Sequence, residues 1–175
     1  MKDNRLTAAR IRPAPKGADA FGIRIGRDGT WYYEGSAITR KPLVRLFATV
    51  LKRDVAGAYW LETPVEKGRI EVEDAPFTAV ELAVSGTGRG QVLRFRTNVD
   101  DWIKAGPDHP LWVIEDPKTR QPKPYILVRD RLEALITRAV YYDLVERGVE
   151  EDYTRRKTLG VWSENAFFPL SPISE

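Results

Sequence analysis

The residues with the most adaptable chemistry lie in two polar stretches, residues 63–74 and residues 98–109. The second stretch ends with Asp108 and His109, which is the single histidine of the chain. Histidine changes its charge most readily near neutral pH, so an imidazole beside a carboxylate is a candidate general base. The alternative is a rigid turn between prolines, in which Asp108 caps the backbone and His109 packs against it.

The first stretch begins directly after a predicted aromatic strand, with Thr63, Glu66 and Lys67. Loops at the end of a sheet often bind ligands, although a simple turn with an exposed ion pair is equally consistent with these residues. Glu71 and Glu73 alternate on a predicted strand and are about 7 Å apart. That spacing favours a solvated strand face over a metal site, so we expect no metal and no cofactor.

Several familiar catalytic motifs are missing from the chain. The segment 86–90, Gly-Thr-Gly-Arg-Gly, has neither the Lys-Ser/Thr of a P-loop nor a following helix, and it predicts a hairpin tip. Ser36, Ser85, Ser163 and Ser171 lack the surroundings of a nucleophile. With no cysteine, disulfides and thiolate catalysis are excluded, and a structural zinc site is nearly excluded. Whether the protein is an enzyme is left open.

Length and composition favour a cytoplasmic protein of one ordinary domain or two small ones. The chain has 175 residues, of which 42% are hydrophobic and 30% charged. No apolar run approaches the roughly 18 residues that span a bilayer, and the N-terminus lacks the apolar region of a signal peptide. The net charge of +3 is concentrated partly in a basic N-terminal arm, residues 1–20. Nucleic-acid binding through this arm and through aromatic strands is the least favoured partner interaction.

Apolar periodicity predicts the elements that position these residues. Asp28-Gly29 predicts a hairpin between two strands, and Thr39 is the expected N-cap of a helix with a stripe formed by Leu43, Leu46, Phe47, Val50 and Leu51. A short helix is expected over residues 98–104 and a long one over residues 130–146. Arg40 and Arg129 then open the two main helices, where a positive charge opposes the helix dipole. A carboxylate such as Asp74 or Glu133, or an anionic ligand, should neutralise that charge.

A faint internal duplication organises these elements. Residues 23–43 align without a gap to residues 112–132, and Trp60-Leu-Glu resembles Trp162-Ser-Glu. We therefore predict an α+β fold with two similar small domains, each with mostly antiparallel strands packed on one main helix. After the arm, the expected domains are residues 21–96 and residues 97–175.

Five ordered motifs resemble a known bacterial family. They are Ala58–Lys67, Val72–Phe77, Thr97-Asn98 with Asp108–Leu111, Arg129–Ala134 and Gly160–Ser163. Together they resemble the family called domain of unknown function 1285. The resemblance implies two α+β domains that arose by duplication, with a groove between them. It implies no established activity, and only a role in signal transduction has been suggested for the family.

The family motifs mark the residues expected to line that groove. They are Thr63, Glu66, Lys67, Asp74, Asn98, Asp108, His109, Arg129, Glu133, Arg138 and Trp162. Our leading hypothesis is a binding module for a small anionic ligand or a protein partner, contacted by Lys67, Arg129 and Arg138. The alternative is an acid–base enzyme of hydrolytic type that uses His109 with Asp108 or Glu66. The sequence leaves the oligomeric state open.

Overall fold

A computed structural model describes residues 20–172, so that most of the predicted basic arm lies outside the described residues. The chain divides into two compact units. Among the described residues, the first comprises 20–76 with 130–132, and the second comprises 77–129 with 133–172. Within the described part of the chain, no helix is long and apolar enough to cross a membrane.

The described residues form fifteen strands and two α-helices. In chain order they are β1 Ala20–Ile25, β2 Trp31–Tyr33, β3 Ser36–Ala37, α1 Lys41–Thr49, β4 Leu51–Arg53, β5 Tyr59–Glu62, β6 Lys67–Val72, β7 Phe77–Ser85, β8 Val92–Thr97, β9 Trp102–Lys104, β10 Leu111–Glu115, β11 Pro122–Arg129, β12 Leu132–Ile136, α2 Arg138–Glu146, β13 Val149–Tyr153, β14 Arg156–Ser163 and β15 Ala166–Pro172. The two-domain, sheet-rich α+β class is therefore confirmed.

The first domain is one six-stranded sheet with the order β3-β2-β1-β6-β5-β4. Its two central strands, β1 and β6, are parallel, and its other neighbours pair antiparallel. The predicted turn at Asp28-Gly29 is confirmed: Gly29 has a φ of 85°, and the Asp28 carboxylate accepts a hydrogen bond from the Thr30 N–H at 3.0 Å. Gly is favoured there because it adopts positive φ without a steric cost.

Helix α1 packs on one face of this sheet. Phe47 of α1 stacks on Trp31 of β2 with ring centroids 6.2 Å apart, and both side chains are buried. Pro42 in the first turn suits a helix start. The N-cap is Arg40 rather than the expected Thr39, and Leu46 of the predicted stripe is 54% exposed. The helix ends earlier than its stripe suggested, because Leu51 is already part of β4.

The second domain contains two sheets and α2. The larger sheet has the order β10-β11-β12-β7-β8-β9, and the smaller has the order β13-β14-β15. Ser163 of β14 joins the two: its hydroxyl donates to the Ala105 carbonyl at 2.6 Å and accepts from the Leu93 N–H at 3.0 Å. The side chain is fully buried, so Ser163 acts as an internal connector of the domain.

The expected helix over residues 130–146 is wrong in its first half. Leu132, Ala134 and Ile136 are buried in alternation on β12, and only residues 138–146 are helical. The apolar residues of this segment satisfy a period of two as well as a helical stripe. Parallel pairing of β12 with the buried start of β7, Phe77–Ala79, decides in favour of the strand. Arg129 consequently ends β11 and does not open a helix.

The expected short helix over residues 98–104 is also absent. The Thr97 hydroxyl accepts hydrogen bonds from the N–H groups of Val99 and Asp101, and Asp100 has a φ of 68°. These bonds form a tight turn, after which residues 102–104 continue as β9. Threonine side chains favour such turns because their hydroxyl competes for backbone N–H groups.

The gap-free alignment of the two copies does not match the structure. It pairs the start of helix α1 with the start of strand β12, and the separate match at a wider offset pairs Trp60 of the six-stranded sheet with Trp162 of the three-stranded sheet. The six-stranded sheets nevertheless share one strand order, since each runs outward from its centre for three strands and returns from the opposite edge. The division after Pro76 also differs from the expected boundary at residues 96–97, because β7 and β8 belong to the sheet of β10–β12.

Candidate functional site

Three of the predicted site residues lie at the connection of β5 to β6: Thr63 and Glu66 form the turn, and Lys67 begins β6. The Thr63 side chain accepts a hydrogen bond from the Glu66 N–H at 3.1 Å, and the Thr63 N–H donates to the Glu66 carbonyl at 2.8 Å. Lys67 lies 3.9 Å from the Glu62 carboxylate and 4.7 Å from the ring centroid of Trp60. These contacts stabilise the turn and occupy the Lys67 ammonium.

Asp74 precedes β7 along the chain, and Asn98 directly follows β8. Asp74 is half-buried directly after β6. The Asn98 carboxamide oxygen accepts the Thr78 N–H at 3.1 Å, while the Asn98 N–H donates to the Thr78 carbonyl at 2.9 Å. Asn98 thus holds the beginning of β7 through two backbone contacts, which is a structural role.

His109 is half-buried and oriented by the backbone. Its Nδ1 lies 3.0 Å from the Leu127 carbonyl oxygen, which can only accept, so Nδ1 carries the hydrogen. In the neutral ring, Nε2 then holds the lone pair. Asp108 is exposed, and no hydrogen bond joins it to His109 within residues 20–172. His109 is therefore oriented by a backbone carbonyl and not by the Asp108 carboxylate that the sequence suggested.

Four further predicted residues are distributed over different elements of the second domain. Arg129 lies over the Phe77 ring at 5.5 Å, Glu133 is half-buried on β12, and Arg138 is exposed at the start of α2. Trp162 lies on the middle strand of the small sheet, where its indole N–H donates to Glu151 at 3.1 Å. The guanidinium of Arg89 covers its ring at 4.7 Å, so the Trp162 surface is already in contact with a cation.

A different set of residues lines a cavity within the first domain. Its volume is about 880 Å³, and it extends over β1 and β6 between the glycines of two turns, Gly35 and Gly57. Two cations and two anions contribute to its lining, namely Arg24, Arg69, Glu71 and Glu73. On β6, Arg69 and Glu71 alternate with the buried residues Gly68 and Ile70, so they project from the sheet face opposite α1.

The four charged side chains of this cavity fall into two kinds. Arg24 forms an ion pair with Glu73 and lies over the Tyr32 ring at 4.2 Å, and Glu73 also accepts the Arg27 N–H at 3.0 Å. The side chains of Arg69 and Glu71 are exposed and make no ion pair or hydrogen bond among the residues that the structure describes. The cavity therefore presents one cation and one anion that are available to a ligand.

Asp54 stabilises the turn beside this cavity. Its carboxylate accepts the Trp60 indole N–H and the Ala58 N–H, both at 2.9 Å. These two hydrogen bonds, that of Trp60 first, lower the pKa of Asp54 below its ordinary value of 3.8. A carboxylate whose pKa is lowered by folding stabilises the native state above its unfolded pKa, and this stabilisation is lost as the pH falls through the folded value.

The Asp54→Asn variant should therefore be less stable at pH 7. Its free energy of unfolding should also fall less steeply than that of the wild type as the pH is lowered. As the pH falls through the ordinary pKa of 3.8 and then through the lower folded pKa, the wild-type protein loses the Asp54 contribution, whereas the variant has none to lose. Urea unfolding at a series of pH values measures the difference. Trp60→Phe should reproduce part of the effect, because it removes the strongest donor to the carboxylate. An unchanged pH dependence in Asp54→Asn would contradict this role.

Sequence reasoning missed the cavity, although one signal for it was present. Arg69, Glu71 and Glu73 recur at every second position of a strand whose intervening residues are apolar. We interpreted Glu71 and Glu73 as a solvated face, which is compatible with their exposure. The missing information was the central position of this strand, which places the charges in the middle of a sheet face that neither described helix covers. Among the described residues, no group of three or more His, Cys, Asp or Glu side chains could hold a metal ion.

Comparisons with known proteins give a consistent result. The profile described as "Domain of unknown function (DUF1285), N-terminal domain" matches residues 12–75, and that of "Protein of unknown function (DUF1285), C-terminal domain" matches residues 76–170. A DUF1285 protein from Silicibacter pomeroyi DSS-3 is 45% identical with a TM-score of 0.84, covering 92% of this chain and 85% of its own. A second, from Shewanella baltica OS155, is 26% identical with a TM-score of 0.56, covering 71% and 91%. No curated protein matches.

Proposed function

This chain belongs to the DUF1285 family, and we propose that it is a binding module whose first domain binds a small anionic ligand. The observation that carries the proposal is the Arg69 guanidinium, which lines the cavity and has no partner among the described residues. A planar guanidinium binds carboxylates and phosphates through two parallel hydrogen bonds. A cytoplasmic location and a role in signal transduction are part of the same proposal.

The position of Arg69 supports this assignment. It lies on β6, which is paired on one side with β1 and on the other with β5. A side chain on a central strand has its backbone fixed before the ligand arrives, which reduces the entropy lost on binding. Lys67, considered earlier as an anion contact, is less suited because Glu62 and Trp60 already engage its ammonium.

Arg69→Gln should weaken the binding of anions by at least about tenfold, since it removes a charge-assisted contact. The measurement is a thermal-shift and calorimetry series with succinate, glutarate, glutamate and inorganic phosphate as probes. A bound probe raises the melting temperature with its concentration relative to the dissociation constant. Lys52→Gln removes an exposed cation on the edge strand β4, two strands from β6; it is the matched control and should bind normally. Arg129→Ala tests the contact with an anionic ligand that the sequence predicts for Arg129.

Two results would contradict the proposal. One is the absence of binding to any of these anions, and the other is an unchanged affinity in Arg69→Gln. The acid–base alternative depends on Nε2 of His109, which the Leu127 carbonyl leaves with the lone pair. Consumption of a probe by the wild-type protein but not by His109→Gln would favour that alternative.

We also propose that the two six-stranded sheets descend from a duplication in a new register. In this register β1 corresponds to β7 and β6 corresponds to β12, because each pair occupies the same place in the shared strand order. The helices are then not equivalent. Helix α1 lies between the third and fourth strands of the first sheet, whereas α2 follows the last strand of the second.

A further inference from the structure

Arg69 and Glu71 occupy alternate positions of β6 and project from the same face of the sheet. Alternate residues of a strand are about 7 Å apart. Neither side chain makes an ion pair with the other or with any residue in the described part of the chain. The cavity therefore holds a separated cation and anion, side by side on one rigid strand.

The remaining charges of the cavity do not change this pattern. Arg24 and Glu73 form an ion pair, so their charges largely cancel. A ligand that carried only a negative group would be attracted by Arg69 and repelled by Glu71. A ligand with one group of each sign would interact favourably with both.

We propose that this cavity binds a zwitterionic small molecule of the amino-acid type, with its carboxylate on Arg69 and its ammonium on Glu71. The inference rests on the proposed function, since it concerns the same cavity and the same arginine. It adds a second recognition element, Glu71, and it excludes simple carboxylates as preferred ligands.

The dimensions of the two partners agree. Charge-assisted hydrogen bonds are about 2.8 Å long, and the ammonium and carboxylate of an α-amino acid are separated by two bonds of about 1.5 Å each. Arg69 and Glu71 leave the strand about 7 Å apart, and their flexible side chains can bring the guanidinium and the carboxylate to the two ends of such a ligand. Gly35 also lines the cavity, and a Cβ atom there would have no neighbour within 4 Å, which leaves room for the ligand's own side chain.

The test compares matched compounds by isothermal titration calorimetry on the full chain. The twenty free amino acids are screened first, and each that binds is compared with its analogue lacking the amine, such as glutamate with glutarate or phenylalanine with 3-phenylpropionate. We expect the zwitterion to bind at least about tenfold more tightly than the analogue, because only the zwitterion also contacts Glu71. Equal affinities for the two would overturn the inference.

Two variants separate the inference from the function on which it rests. Glu71→Gln should weaken binding of the zwitterion by about tenfold or more. Binding of the simple carboxylate should stay unchanged or become tighter, because the repulsion by Glu71 is removed. Arg69→Gln should weaken both compounds. If Arg69→Gln weakens binding of both compounds and Glu71→Gln weakens binding of neither, the anion-binding function stands and the inference of zwitterion recognition is wrong. If Arg69→Gln has no effect, both fail. Glu150→Gln, an exposed carboxylate of β13, is the matched control, and the unliganded melting temperature of each variant verifies folding.

Discussion

Replacing Gly160 with alanine is expected to destabilise the second domain by about 2–4 kcal/mol. A Cβ atom at this position would lie 2.3 Å from Cζ of Phe167 and 2.6 Å from the carbonyl oxygen of Phe168. The carbonyl belongs to β15, which pairs with β14 at this point, so it cannot move away without disturbing the sheet. Overpacking of this kind forces backbone shifts rather than side-chain adjustments.

Urea unfolding followed by tryptophan fluorescence measures the loss, because Trp162 lies two residues from the substitution. Gly90→Ala is the matched control in the same domain, since its Cβ would have Asn165 Oδ1 as its nearest neighbour at 4.0 Å. The control should remain within about 0.5 kcal/mol of the wild type. Equal stability of the Gly160 and Gly90 variants would show that β15 leaves room for a Cβ atom at position 160.

Ser163→Ala is expected to destabilise the same domain by about 2–3 kcal/mol. The substitution leaves the Leu93 N–H and the Ala105 carbonyl without the hydroxyl that they share, and both lie in a fully buried environment. An unsatisfied buried polar group costs far more than the net value of the hydrogen bond that it once made.

The same unfolding assay provides the measurement for Ser163→Ala, with Ser85→Ala as its control. Ser85 accepts a hydrogen bond from Arg94 at 2.9 Å, but it is exposed, so that water replaces the lost hydroxyl. We expect a change below about 0.5 kcal/mol for this control. A Ser163→Ala protein as stable as Ser85→Ala would mean that the two sheets of the domain are held together by other contacts.

Local patterns predicted the hairpins better than the arrangement of the sheets. Asp28-Gly29 and the glycine-rich tip at residues 86–90 both connect strands as expected, because turn chemistry depends on a few adjacent residues. The segment 132–136 was misassigned because Leu132, Leu135 and Ile136 suit a helix, whereas Leu132, Ala134 and Ile136 suit a strand. Only pairing with β7, far away in sequence, distinguishes the two.

The candidate site was less accessible to sequence reasoning than the fold. Thr63, Asn98 and Lys67 attracted attention as polar motif residues, yet their side chains bond to the backbone or to neighbouring residues. Arg69 and Glu71 belong to a plain alternating strand and carry no motif. Their significance depends on which strands flank β6 and on which face α1 covers, and neither follows from spacing along the chain.

The nested strand order has a consequence for how each sheet forms. In both six-stranded sheets the parallel pair at the centre joins the first strand to the last, as in β1 with β6 and β7 with β12. Each sheet is thus completed only when its final strand has left the ribosome, and the first strand exposes an unpaired edge until then. Contacts of such high sequence separation slow folding, so we expect this protein to refold slowly for its size.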